Sequence, residues 1–220
     1  MALFQLDPQS IAQRVQASDQ PPCVPSLAGS VVRGIVGFTV VSVAGFAPWP
    51  ILDRWFPWMG EMGLYVTSTA VFIGLSSPLL RRLIIGPGSL PRFYKLFTLA
   101  FTAYVIAWAA FWIWLRSGAG EIAGLLGGTA VMGAILAFAF DARRAIVKII
   151  TCLFVLNAAG YLAGGWFEGN LMVHHRLVAI LLWGICYGIG FGAGLGLAFH
   201  FCQARARALI GGGGPHRTAA

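Results

Sequence analysis

The chain has 220 residues, of which 58% are hydrophobic and only 10% charged, and its mean hydropathy is +0.79. Soluble domains carry about a quarter charged residues, so a water-soluble fold of this chain would lack the polar surface to cover its core. The net charge of +8 comes from short basic clusters beside apolar runs, which argues against a nucleic-acid-binding module and for anionic lipid headgroups.

Residues 1–30, with Pro8, Pro21, Pro22 and Pro25, read as a mobile tail in which Pro8 to Gln20 can form a short surface helix. No basic start followed by an apolar core is present there, so no cleavable signal peptide is expected. A membrane domain over 31–204 follows, with spans near Val31 to Leu52, Met62 to Leu83, Phe93 to Leu115, Ile122 to Phe140, Ala145 to Ala163, and Leu177 to Phe201. Each is close to the roughly 20 apolar residues a helix needs to cross the hydrocarbon. The breaks agree: Pro48, Pro50 and Pro57 after the first span; Gly86, Pro87, Gly88 and Pro91 before the third; Gly164, Gly165, Gly169 and Asn170 opening the fifth loop. Residues 205–220 read as a disordered basic tail. The fold class is therefore an all-α bundle of six transmembrane helices.

Six spans divide the basic residues into Arg14, Arg33, Arg81, Arg82, Arg92, Lys95, Arg143, Arg144, Lys148, Arg205, Arg207 and Arg217 on one side, and Arg54, Arg116 and Arg176 on the other. Positive residues stay inside, so both termini are expected to be cytoplasmic. Trp49, Trp55, Trp58, Trp112, Trp114 and Trp166 fall near the opposite ends of spans, as an interfacial aromatic belt does.

In the sixth span Gly184, Gly188, Gly192 and Gly196 recur every fourth residue, with Gly190 and Gly194 on the neighbouring stripe. Such a smooth face lets another backbone approach closely, either inside the bundle or in a second subunit or flat lipid. Gly120, Gly124 and Gly128 repeat the pattern in the fourth span. Cys23, Cys152, Cys186 and Cys202 form no CxxC pair and read as reduced thiols.

No catalytic set, P-loop or haem ligand pair is apparent, and all seven acidic residues fall outside the predicted apolar cores. His174 and His175, beside Arg176 and downstream of Glu168, read as a solvated loop, since adjacent side chains on a helix diverge by about 100°. The chain is accordingly read as neither an enzyme nor a metal or cofactor protein. Weakly polar residues remain within the spans. Most such groups bond between helices. Thr102, Tyr104, Thr129, Asn157 and Tyr161, if they converge on an apolar cavity between the third, fourth and fifth spans, suit a lipid with one hydroxyl or ester end.

Phe140, Asp141, Ala142, Arg143 and Arg144 close the fourth span. By charge alone Asp141 can cap that span, pair with Arg144 or Lys148, or offer a docking contact.

At this segment the chain resembles the Insig family of six-span, sterol-responsive membrane proteins, whose Phe-Asp-x-x-Arg signature is matched by Phe140, Asp141 and Arg144. Ile73, Gly74, Leu75, Pro78 and Arg82 match a second pattern of that family, and Arg33 with Gly34 open the first span as its members do. The likeness covers roughly Val32 to the end of the sixth span. It departs where the family places an acid and this chain has Arg81, and the long N-terminal tail has no counterpart. The resemblance implies a non-enzymatic sensor that binds a sterol within the bilayer and contacts a membrane partner through Asp141 and Arg144. The Gly and Ala richness points to a bacterial source and an inner-membrane location, where the ligand would be a sterol or a diacylglycerol-like lipid. A small-solute transporter or a structural subunit, acting through a partner or a homo-oligomer, is the alternative reading.

Overall fold

The computed structural model describes residues 4–18, 23–50, 58 and 60–212. Pro21, Pro22, Arg54, Trp55, Pro57 and Arg217 lie outside them, as do the end of the predicted first span and the last half of the predicted basic tail. Among the described residues the chain forms α1 (Pro8–Gln16), α2 (Leu27–Phe46), α3 (Gly60–Leu80), α4 (Ser89–Leu115), α5 (Gly118–Ala139), α6 (Ile146–Leu171), α7 (Arg176–Cys202) and α8 (Ala204–Gly212), and no strand. Six helices, α2 to α7, are long and apolar enough to cross a membrane. The chain thus has the architecture of a multi-pass membrane bundle.

Serine caps start two of the spans where apolar periodicity alone leaves the boundary vague. Ser26 Oγ accepts from the Gly29 N–H at 3.0 Å and Ser117 Oγ from the Gly120 N–H at 3.3 Å, each satisfying an amide with no partner inside its helix. Gly88, at φ +64°, takes the left-handed conformation that lets the chain turn sharply into α4.

Consecutive spans pack side by side and α7 closes the ring by lying between α2 and α6. α7 is the most enclosed span, 56% buried against 22–44% for the others. Its two glycine stripes explain this. A Cβ on Gly188 would meet Thr39 Cα at 2.5 Å, and one on Gly196 the Ser30 carbonyl oxygen at 2.5 Å. Gly192 lies backbone to backbone against Gly34, while Gly184 has ordinary contacts with Ser42 and Val43. The second stripe meets α6, where Gly190 lies against Gly160. The face carrying Gly184, Gly188, Gly192 and Gly196 is therefore covered by α2 and not available to a second subunit. Gly124 and Gly128 bring α5 equally close to Trp108 and Tyr104 of α4.

Aromatic rings fill the interior. Phe93, Phe97, Phe101 and Tyr104 stack along α4 at centroid spacings of 5.2–5.8 Å. Trp183, Tyr187 and Phe191 stack along α7 at 5.6 Å. Phe93 on Phe199 at 5.4 Å and Tyr104 on Phe191 at 5.2 Å join the two columns.

Three features depart from expectation. The surface helix expected within Pro8 to Gln20 forms as α1, but it docks instead of lying free: Ile11 and Val15, with Leu6 just before the helix, are buried, and α1 packs against α8. The C-terminal tail begins as α8, with Ala206 buried. Most consequential for the site, α6 continues to Leu171 through Gly164, Gly165 and Gly169, which were expected to break it. Gly164 packs under Trp183, and the bilayer removes the water that would otherwise stabilise an unwound backbone.

Candidate functional site

At the end of the bundle opposite α1 and α8, α2, α3, α4, α6 and α7 splay around an apolar cavity. Its inner chamber, of about 90 Å³, is walled mainly by Phe72, Phe101, Tyr104, Val105 and Tyr187, with Ser68 and Thr69 at its side. It shares Phe46, Trp49, Tyr65, Trp108, Tyr161 and Trp183 with an outer vestibule of about 270 Å³, to which Trp112, Ile180 and Glu168 are added.

The polar groups around the chamber are few and mostly committed. Trp49 Nε1 donates to Ser68 Oγ at 2.7 Å, and Ser68 in turn donates to the Gly45 carbonyl at 2.8 Å, tying α2 to α3. Thr69 donates to the Tyr65 carbonyl of its own helix at 2.8 Å. Tyr104 is the exception. Its hydroxyl accepts from Asn157 Nδ2 at 3.0 Å and from the Tyr187 hydroxyl at 3.4 Å, and Asn157 Oδ1 has no hydrogen-bond partner among the described residues. This buried trio joins α4, α6 and α7 and retains more hydrogen-bonding capacity than it uses, an arrangement that is costly in an apolar interior unless a further partner arrives.

Of the residues proposed to converge, Tyr104 and Tyr161 line this cavity. Asn157 is fully buried behind Tyr104 and reaches the chamber only through it. Thr102 does not line the cavity. Thr129 donates to the Leu125 carbonyl at 2.7 Å within α5. The fourth span contributes nothing to the cavity walls, because its glycines draw it against α4 and leave no space between them.

The sequence reading missed Phe46, Trp49, Trp108 and Trp183. Two signals separate them from belt residues: Trp183 follows Gly164 in contact and Trp108 covers Gly124, so each ring is folded inward over a missing side chain. Glu168 was missed because α6 was ended too early. It is half-buried in the last turn of α6, beyond the apolar core of that span, and faces the vestibule.

At the opposite end, Phe140 is buried and packs edge-on against Phe199 at 5.8 Å. Asp141, at φ +52°, pairs with Arg205 of α8 at 3.2 Å rather than with Arg144 or Lys148. Arg144 is exposed in the 3-10 turn Arg143–Ala145, and Lys148 covers the Phe201 ring at 3.8 Å. Asp141, Arg143 and Arg205 share a polar groove of about 600 Å³ with Asp7 and Gln9 from the N-terminal segment.

Comparison of the chain with known protein families, curated proteins and solved structures finds no match in any of the three.

Proposed function

We propose that this protein is an Insig-like, non-enzymatic membrane sensor that holds a sterol or diacylglycerol-like lipid in the aromatic cavity. The observation that carries this reading is the Tyr104, Asn157 and Tyr187 trio with its unused hydrogen-bonding capacity beside an otherwise apolar chamber. A ligand with one hydroxyl or ester end and a hydrocarbon body satisfies both parts at once. Binding would favour the bundle arrangement that grips the lipid, and only that differential affinity can transmit a signal. The Asp141 groove at the other end is the partner surface in this reading, with both termini cytoplasmic and the protein in a bacterial inner membrane.

The presence of Glu168 in the vestibule favours a second reading, a substrate-binding component or transporter for a small solute, since an ionisable group within a span often marks a solute path. Photo-crosslinkable sterol and diglyceride probes separate the two. The lipid reading expects labelling of peptides carrying Trp108, Tyr161 or Trp183 that free lipid displaces. Labelling that free lipid leaves unchanged removes it, and Glu168-dependent uptake into proteoliposomes establishes the transporter.

A further inference from the structure

The vestibule shares its aromatic rings with the chamber below it and differs in one chemical respect, the carboxylate in its wall. Trp108 and Tyr65 are 6.1 Å apart by centroid, Tyr65 and Trp49 5.4 Å, Trp49 and Phe46 6.2 Å, Phe46 and Trp183 4.3 Å, and Trp183 and Tyr161 5.5 Å. Five spans each supply at least one ring to this chain of contacts. An interfacial belt does not account for it, because belt residues face the lipid. Trp58, Trp114 and Trp166 do so, at 80%, 80% and 64% exposure, whereas the vestibule rings turn toward one another.

Glu168 completes the set. Among the described residues no cation pairs with it, although basic residues outnumber acidic ones by eight in the chain. A half-buried carboxylate without a counter-charge is unfavourable, and the rings' electron-rich faces also attract positive charge. A hydrated ammonium or a metal ion gains little from such walls, whereas a cation clothed in methyl or methylene groups satisfies both features.

We propose that the vestibule is a subsite for a soft organic cation, a quaternary or alkylated ammonium group, held between the aromatic faces and the Glu168 carboxylate. This rests on the reading of the cavity as a ligand site but not on what fills the inner chamber. The cation belongs either to a phospholipid headgroup entering from the bilayer or to a free solute.

The test is saturation binding of radiolabelled choline to the full chain in nanodiscs of phosphatidylglycerol, competed by the uncharged isostere in which carbon replaces the quaternary nitrogen. The isostere is expected to compete at least about tenfold more weakly than unlabelled choline. Glu168→Gln and Tyr65→Leu should each weaken choline binding by about tenfold, while Trp166→Phe, outside the vestibule, leaves it unchanged. Equal competition by the isostere, absent choline binding, or full affinity in a Glu168→Gln protein that melts like the wild type overturns the proposal. Nanodiscs of phosphatidylcholine then choose the source: choline excluded there means a lipid headgroup holds the site, and choline still bound means a free solute. Choline binding without displaceable sterol or diglyceride labelling ends the lipid reading and leaves this one standing. The reverse outcome ends this one alone.

Discussion

Gln203 shows how much one buried polar side chain can organise. It is 1% exposed. Its Oε1 accepts from the Ile85 N–H at 2.8 Å, and its Nε2 donates to the Leu83 and Phe199 carbonyls at 2.8 and 2.9 Å. It therefore fastens the connection between α3 and α4 to the end of α7, where neither helix can supply those backbone partners. Gln203→Leu fills similar space but strands the Ile85 amide and the Leu83 carbonyl, while the Phe199 carbonyl keeps the Gln203 backbone N–H, and should destabilise the bundle by about 2–4 kcal/mol. The neighbouring Cys202 thiol, 2% exposed, reports this directly: thermal labelling by a thiol-reactive dye should begin at a lower temperature in the variant. An unchanged labelling curve would show that the three bonds contribute little. Nothing in the sequence distinguishes Gln203 from the solvated residues after it. Its role depends on Leu83 and Ile85, about 120 positions away, and long-range pairing of that kind leaves no local pattern.

At the scale of helices, the sequence was most informative where hydrocarbon thickness sets the length, and least where glycine has two meanings. The second and third spans end where hydropathy places them, at Leu83 and Leu115. The fifth does not end at Ala163, because glycine marks a loop in water and a close helix contact in lipid. The error carried into the site: ending α6 early put Glu168 in a loop. The expected Tyr104 and Tyr161 were legible as polar-tipped rings within apolar runs. The inward turn of Trp108 and Trp183 was not, since it depends on which opposing residue is glycine. α1 offers an element-scale test of how firmly the ends are fixed. Asp7 caps it by accepting from the Ser10 N–H at 2.9 Å, and hydrogen bonding from Ser10, its side chain first and this N–H after it, lowers the carboxyl from its ordinary value. A folded value below the unfolded one means the cap's contribution is present above the unfolded value and fades as the pH falls through the folded value. A nitroxide on the exposed Gln9 should therefore become more mobile in acid below the usual carboxylate range. Asp7→Asn keeps a good cap without a titrating group, and should abolish that acid-dependent part. Mobility that rises equally in both proteins would assign the change to other groups.

For the whole molecule the decisive asymmetry is chemical rather than geometric. One end of the ring of spans gathers Arg33, Arg81, Arg82, Arg143, Arg144 and Arg205 around the docked α1 and α8, while the other holds the aromatic cavity, Glu121 and Glu168. Basic residues are retained on the cytoplasmic side during insertion, so the polar groove is expected to face the cytoplasm and the vestibule the opposite compartment. The two proposed activities depend on this placement in different ways. A vestibule open to the outer side can take a solute or an outer-leaflet headgroup, whereas the ring contacts that lead from it toward Phe140 pass from Trp183, Tyr187 and Phe191 of α7 to Phe101, Phe97 and Phe93 of α4 and back to Phe199. Single cysteines at Arg82, Arg144 and Arg116, introduced after Cys23, Cys152, Cys186 and Cys202 are replaced by serine or alanine, test the placement with a membrane-impermeant maleimide on intact cells. Arg116→Cys should be labelled from outside, and Arg82→Cys and Arg144→Cys only after permeabilisation. If Arg82→Cys and Arg144→Cys label from outside instead, the bundle is inverted, the vestibule opens to the cytoplasm, and Asp141 is removed from any cytoplasmic partner.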